Sequence, residues 1–133
     1  MRASLHSQIY VMQVTEHFTE KELSCAHCKA LPTWIGEFAR HLEDLRAEVM
    51  MPLPITSAYR CEDHPIEITK RYPGEHHYGA VDISIYKPVD VQRLVCVAIT
   101  SGEWPGIGIK QRGPIEGRFV HLDRRSRPGL WTY

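Results

Sequence analysis

Residues 80–86 read Ala-Val-Asp-Ile-Ser-Ile-Tyr. Apolar and polar side chains alternate with a period of two, the pattern of a β-strand. Val81, Ile83 and Ile85 take one face; Asp82, Ser84 and Tyr86 take the other. Asp82 therefore points off the apolar face. Just upstream, Pro73-Gly74 marks a turn. Downstream, 89–100 reads as a helix, with Val91, Leu94, Val95, Ala98 and Ile99 inward and Gly102 just past its end. Gly106-Ile-Gly-Ile-Lys110 reads as a strand, followed by a loop around Gly113-Pro114. The last strand is 118–124, in which Phe119, His121 and Asp123 share one face. The aromatic tail that follows is expected to dock on the body.

Working back toward the N-terminus, 53–59 (Leu-Pro-Ile-Thr-Ser-Ala-Tyr) reads as a short strand leading into Arg60, and 62–71 as a short helix or loop. The stretch 33–50 is the clearest helix: Ile35, Phe38, Leu42, Leu45 and Val49 build one apolar face. Pro32 and Thr33 suit its start, and Pro52 and Pro54 enforce its end. His17–Leu23 reads as a helical turn with Thr19 as N-cap and Glu22 three residues on. Residues 1–16 read as an N-terminal extension and 17–133 as a single domain. The predicted class is α+β, with a small, largely antiparallel sheet flanked by helices.

Composition fits that picture. The chain has 133 residues, 43% hydrophobic and 24% charged, as expected of one globular domain. Lys+Arg and Asp+Glu are both 16, so the formal net charge is zero and nothing draws the chain toward nucleic acid. No apolar run approaches the ~20 residues of a membrane span. The opening stretch, Met1 to Phe18, lacks the continuous apolar segment of a secretory signal.

Two segments carry metal-ligand residue types: Gly74-Glu-His-His-Tyr-Gly-Ala-Val-Asp82 and Phe119-Val-His-Leu-Asp123. A catalytic zinc wants three protein ligands and an open position. Two imidazoles and one carboxylate satisfy that, one from a loop entering a strand, one from that strand and one from a neighbour.

The ordered set Ile55-Thr-Ser-Ala-Tyr-Arg-Cys61, Pro73-Gly-Glu-His-His-Tyr-Gly-Ala-Val-Asp-Ile83, Gly106-Ile-Gly-Ile109, Arg118-Phe-Val-His-Leu-Asp123 and Trp131-Thr-Tyr133 resembles the M15 family of zinc peptidases. These are D-Ala-D-Ala carboxypeptidases and L-Ala-D-Glu endopeptidases, and the likeness is nearest to small phage endolysin-like members. The resemblance spans roughly residues 17–133 and implies a Hedgehog/D-Ala-D-Ala peptidase-like fold. It implies Zn2+ held by His76, Asp82 and His121. It implies Arg60 as the group that grips a substrate carboxylate or the developing oxyanion, which suits a planar, permanently charged fork. Tyr78 is a candidate wall for the peptide.

The chain departs from the family pattern in three places. His76 to Asp82 is one residue short, accounted for by a deletion between Gly79 and Ala80; His77 is the alternative ligand. Arg118 stands where many members carry the acid/base. Asp123 is the best replacement and Glu116 the runner-up; alternatively, Asp123 orients His121. Gly74 replaces a Ser or Thr two residues before the first ligand.

Cys25-Ala-His-Cys28 is half of a zinc knuckle that Cys61 and His64 could complete. Reduced thiols, or a disulfide from Cys25 or Cys28 to Cys61, are the alternatives. Cys96 is expected in the core. His64 and Glu67 either line the cleft or sit on a solvated turn.

The expected function is hydrolysis of peptidoglycan stem peptides by zinc-activated water, by a monomer. Without a signal sequence, the protein would act from the cytoplasm of an infected host with a lysis partner, or travel in a virion. The alternative is a non-catalytic zinc-binding virion or cell-wall-binding module on the same fold.

Overall fold

A computed structural model describes residues 12–133. Residues 1–11 of the expected N-terminal extension lie outside the described residues. Residues 12–16 turn back on the domain: Gln13 bridges Thr19, and the Val14 N–H donates to the Phe18 carbonyl at 2.9 Å. Helix α1 (Glu20–Leu23) carries the full capping box, with Thr19 and Glu22 exchanging hydrogen bonds as the sequence predicts.

The architecture is mixed α+β. The strands are β1 (Ile55–Ser57), β2 (Ala80–Ile83), β3 (Gly106–Lys110), β4 (Phe119–Asp123) and β5 (Gly129–Thr132). They form one open sheet in the order β1-β2-β4-β3-β5. All neighbours are antiparallel except β3 and β5, which are parallel. β1 and β2 are shorter than their sequence patterns. The ladder is irregular between Ile55 and Ser57, and Pro52 and Pro54 just before cannot donate to it. The tail docks as expected, but as an edge strand.

Helix α2 (Ile35–Val49) buries Ile35, Phe38, Leu42, Leu45 and Val49, the whole predicted face. It ends at Met50, left-handed at φ 60°. Helix α4 (Pro88–Ser101) starts on Pro88 and stops at Gly102, left-handed at φ 70°. Its buried stripe is narrower than predicted: Leu94 and Ala98 are buried, Val91 and Val95 half-buried, and Ile99 exposed. Cys96 is exposed too, not in the core. Only one edge of α4 meets the core; its other apolar residues line a surface groove with Tyr86 and Ile109. Between α2 and α4 and one sheet face lie Val81, Ile83, Ile107, Val120 and Leu122.

The opposite sheet face carries the polar residues, and register lines them up. Asp82 on β2 pairs with His121 on β4, His121 with Gly108 on β3, and Gly108 with Trp131 on β5. A short helix, α3 (Glu75–Tyr78), runs into β2 through Gly79 at φ 140°, a conformation that favours glycine. That one-residue connection swings His76 over the sheet.

Candidate metal centre

His76, Asp82 and His121 are 5%, 8% and 6% exposed. Each offers a ligand atom, and those atoms lie within 4.8 Å of one another. Oδ1 of Asp82 is 3.3 Å from Nε2 of His76 and 3.1 Å from Nδ1 of His121. The outer ring nitrogens are both occupied. Nδ1 of His76 is 2.6 Å from the Ala58 carbonyl, and Nε2 of His121 is 2.8 Å from Oδ2 of Asp123. A carbonyl or carboxylate only accepts, so those nitrogens carry the protons. Nε2 of His76 and Nδ1 of His121 then turn their lone pairs toward an anionic oxygen. Such a cluster needs a cation or an added proton at its centre. The donor set, two neutral imidazoles and a carboxylate, fits zinc.

The charges are tuned accordingly. Burial alone would raise the Asp82 carboxyl, but His121 and His76 outweigh it and hold it well below the usual carboxylate range. Burial pulls His121 down, yet its bonds to Asp123 and Asp82 raise it above an ordinary histidine.

Of the other predicted residues, Arg60 and Asp123 adjoin this group, while His77, Glu116 and Tyr78 do not join it. His77 is not part of it; Nδ1 of His77 lies 3.0 Å from the Arg60 carbonyl. Arg60 is at the rim, with one guanidinium nitrogen 3.7 Å from Asp82 and another 3.4 Å from Glu67. Its Nε is buried without a partner. Asp123 is fully buried. Its oxygens receive the Arg125 side chain at 2.8 and 2.7 Å and the Arg125 backbone N–H at 3.1 Å. Asp123 thus sits behind His121, on the ring edge away from Asp82. Glu116 is exposed on the 3-10 turn Ile115–Gly117, and the Nε–H of Arg118 donates to the Gly113 carbonyl. Tyr78 is exposed and lines a separate cleft with Trp34, Phe38 and Arg124.

Glu67 is no solvated turn residue. It is 2% exposed and accepts from the Gly74 N–H at 2.6 Å and from Lys70 at 3.1 Å. A Cβ on Gly74 would meet the mobile Lys70 Nζ at 2.7 Å and the buried Glu67 Oε1 at 3.3 Å.

Two residues had no role of their own in the sequence. Trp131 packs on the His121 ring, centroids 5.3 Å apart, and Arg125 lies over Trp131 at 4.6 Å. Gly108 makes room: a Cβ there would be 2.6 Å from the indole. The available signals were the glycine alternation of β3 and the two-residue step from His121 to Asp123 to Arg125.

Cys25, Cys28 and Cys61 form a second group able to hold a metal. His64 is not in it; its Nδ1 accepts the Ile66 N–H at 3.1 Å. Among the described residues no helix is long and apolar enough to cross a membrane. No family model matches the chain, and neither any curated protein nor any solved structure matches it.

Proposed function

We propose that this chain is a zinc peptidase of the M15 type, with a Hedgehog/D-Ala-D-Ala peptidase-like fold, that cleaves peptidoglycan stem peptides. One observation carries the reading: His76, Asp82 and His121 converge within 4.8 Å with both outer ring nitrogens already occupied. Arg60 beside them, its guanidinium 3.7 Å from Asp82, adds a fork for a carboxylate or an oxyanion.

His76, Asp82 and His121 would hold the zinc. When bound, zinc supplies a Lewis acid for the scissile carbonyl and lowers the pKa of the attacking water. Ala58 and Asp123 keep each histidine in the tautomer that presents a lone pair. Arg125 keeps Asp123 ionised: burial would raise that carboxyl, but His121 and Arg125 hold it far below its ordinary value. Asp123 is therefore read as the orienting partner rather than the acid/base.

A second reading draws support from the same geometry. Among the described residues, no carboxylate other than Asp82 and Asp123 contacts the site histidines. That favours a non-catalytic zinc-binding module, in a virion or at the cell wall, on the same fold.

The deciding experiment is digestion of defined stem peptides by zinc-loaded wild type and by His121→Ala, with zinc counted in both. Cleavage by wild type, lost with its zinc in the variant, supports the peptidase. Zinc and wall binding without cleavage support the module. Cleavage that survives in the zinc-free variant sinks both readings.

A further inference from the structure

We propose that Cys25, Cys28 and Cys61 form a second metal site, a three-thiolate zinc centre with its fourth position open to solvent. It is built apart from the His76/Asp82/His121 group and does not depend on that group's function.

The three sulfurs lie within 4.8 Å of one another. They come from two segments 36 residues apart, joined where the Cys61 N–H donates to Cys25 Sγ at 3.4 Å. The Cys25–Cys28 segment is wound as a tight knuckle. The Cys25 N–H donates to the Ala30 carbonyl at 3.0 Å, and the Lys29 N–H returns to the Cys25 carbonyl at 2.8 Å. Lys29, directly after the second cysteine, is left-handed at φ 65°. Its ammonium folds back to the Ala26 carbonyl at 2.8 Å. The Cys61 backbone N–H thus points its proton at the buried sulfur. A backbone donor on sulfur suits a thiolate, the form that binds metal.

Chemistry then narrows the occupant. Three sulfurs cannot all be consumed by one disulfide; any pairing leaves a third thiol beside it. Without metal the three stay largely protonated; all three ionise together only around a cation, and soft sulfur donors favour zinc over calcium or magnesium. Cys25 is buried at the base and Cys28 is exposed at the rim, which gives the ion a path in. His64 spends its Nδ1 lone pair on the Ile66 N–H, so its other nitrogen carries the proton and cannot close the shell.

The test is metal counting and cobalt substitution on the tag-free full chain, for wild type, Cys28→Ser and His121→Ala. Cys28 is exposed, so its replacement leaves the core intact; circular dichroism checks that. The expected result is about two zinc ions in wild type and about one in each variant. Cobalt-loaded His121→Ala should keep sulfur-to-metal charge-transfer absorption, and Cys28→Ser should lose it. Should wild type hold about one zinc and His121→Ala keep the absorption, the thiolate centre stands and the peptidase reading falls. No charge-transfer absorption in either wild type or His121→Ala overturns the proposal. So does a mass two hydrogens short in the chain purified without reductant, mapped to two of these cysteines.

Discussion

Oδ2 of Asp123 lies 2.8 Å from Nε2 of His121, on the ring edge turned away from Asp82. The two residues are neighbours on one face of β4, and Arg125 continues that face. A carboxylate placed there fixes a tautomer; it does not face the open side of the site.

Asp123→Asn should therefore weaken zinc binding by about 10- to 100-fold, as for other partners of metal-bound histidines. Competition against a chromogenic chelator measures it. Unchanged zinc affinity with abolished cleavage would return the acid/base role to Asp123.

Arg60→Lys should leave the zinc count unchanged and lower kcat/KM on a stem peptide by about 100- to 1000-fold. The guanidinium reaches Asp82 and Glu67 at once, and an ammonium cannot reproduce that fork. Wild-type kinetics in the variant would remove Arg60 from substrate handling.

Glu67→Gln should cost about 1.5–3 kcal/mol, the range for hydrogen bonds to a charged group. Glu67 gathers Gly74, Lys70 and Arg60 around one buried carboxylate, organising the turns between β1 and α3. Urea denaturation reads the change, and a shift under ~0.5 kcal/mol would demote the carboxylate to a surface-like role.

Glu43 supplies an acid-sensitive contribution to stability. Burial would raise its carboxyl, but His17, through side chain and backbone, and Thr15 hold it below the ordinary glutamate value. A carboxyl depressed in the folded state stabilises fully above its unfolded pKa and loses that stabilisation as pH falls through the folded value. Wild type should exceed Glu43→Gln in unfolding free energy at neutral pH, with the gap closing below roughly pH 4. A gap that stays constant from pH 7 to pH 3 would contradict this.

Gly108→Ala should displace Trp131, because the new methyl would lie 2.6 Å from the indole. Overpacking of this kind costs about 1–3 kcal/mol. Tryptophan emission and the thermal midpoint should both move; unchanged spectra and midpoint would show that β5 yields freely.

Much of this was legible beforehand because it rests on local periodicity. The α2 face, the Thr19/Glu22 box and the alternation at Val81-Asp82-Ile83 need no knowledge of the rest of the chain. The two segments that hold the site were legible as chemistry, since they carry metal-ligand residue types; the choice of His76, Asp82 and His121 among them rested on the family resemblance. Glu67, Arg125 and Trp131 were not legible. Their roles arise from pairings made across long stretches of chain: Trp131 reaches His121 only because β5 joins β3 in parallel beside a glycine. Cys96 and Ile99 misled for the opposite reason. An apolar helix face reads as buried, yet α4 presents only Leu94 and Ala98 to the core.

The transverse alignment of Asp82, His121, Gly108 and Trp131 has a folding consequence. Side chains alternate along a strand, so slipping any one pairing by a single residue swaps its two faces. A slip of β4 would send His121 into the core and bring Val120 or Leu122 up in its place. The site then works as a parity check: only a sheet with β2 and β4 correctly matched can present both histidines and Asp82 together. Metal capture by the refolding chain would therefore report the moment at which β2 and β4 lock into step.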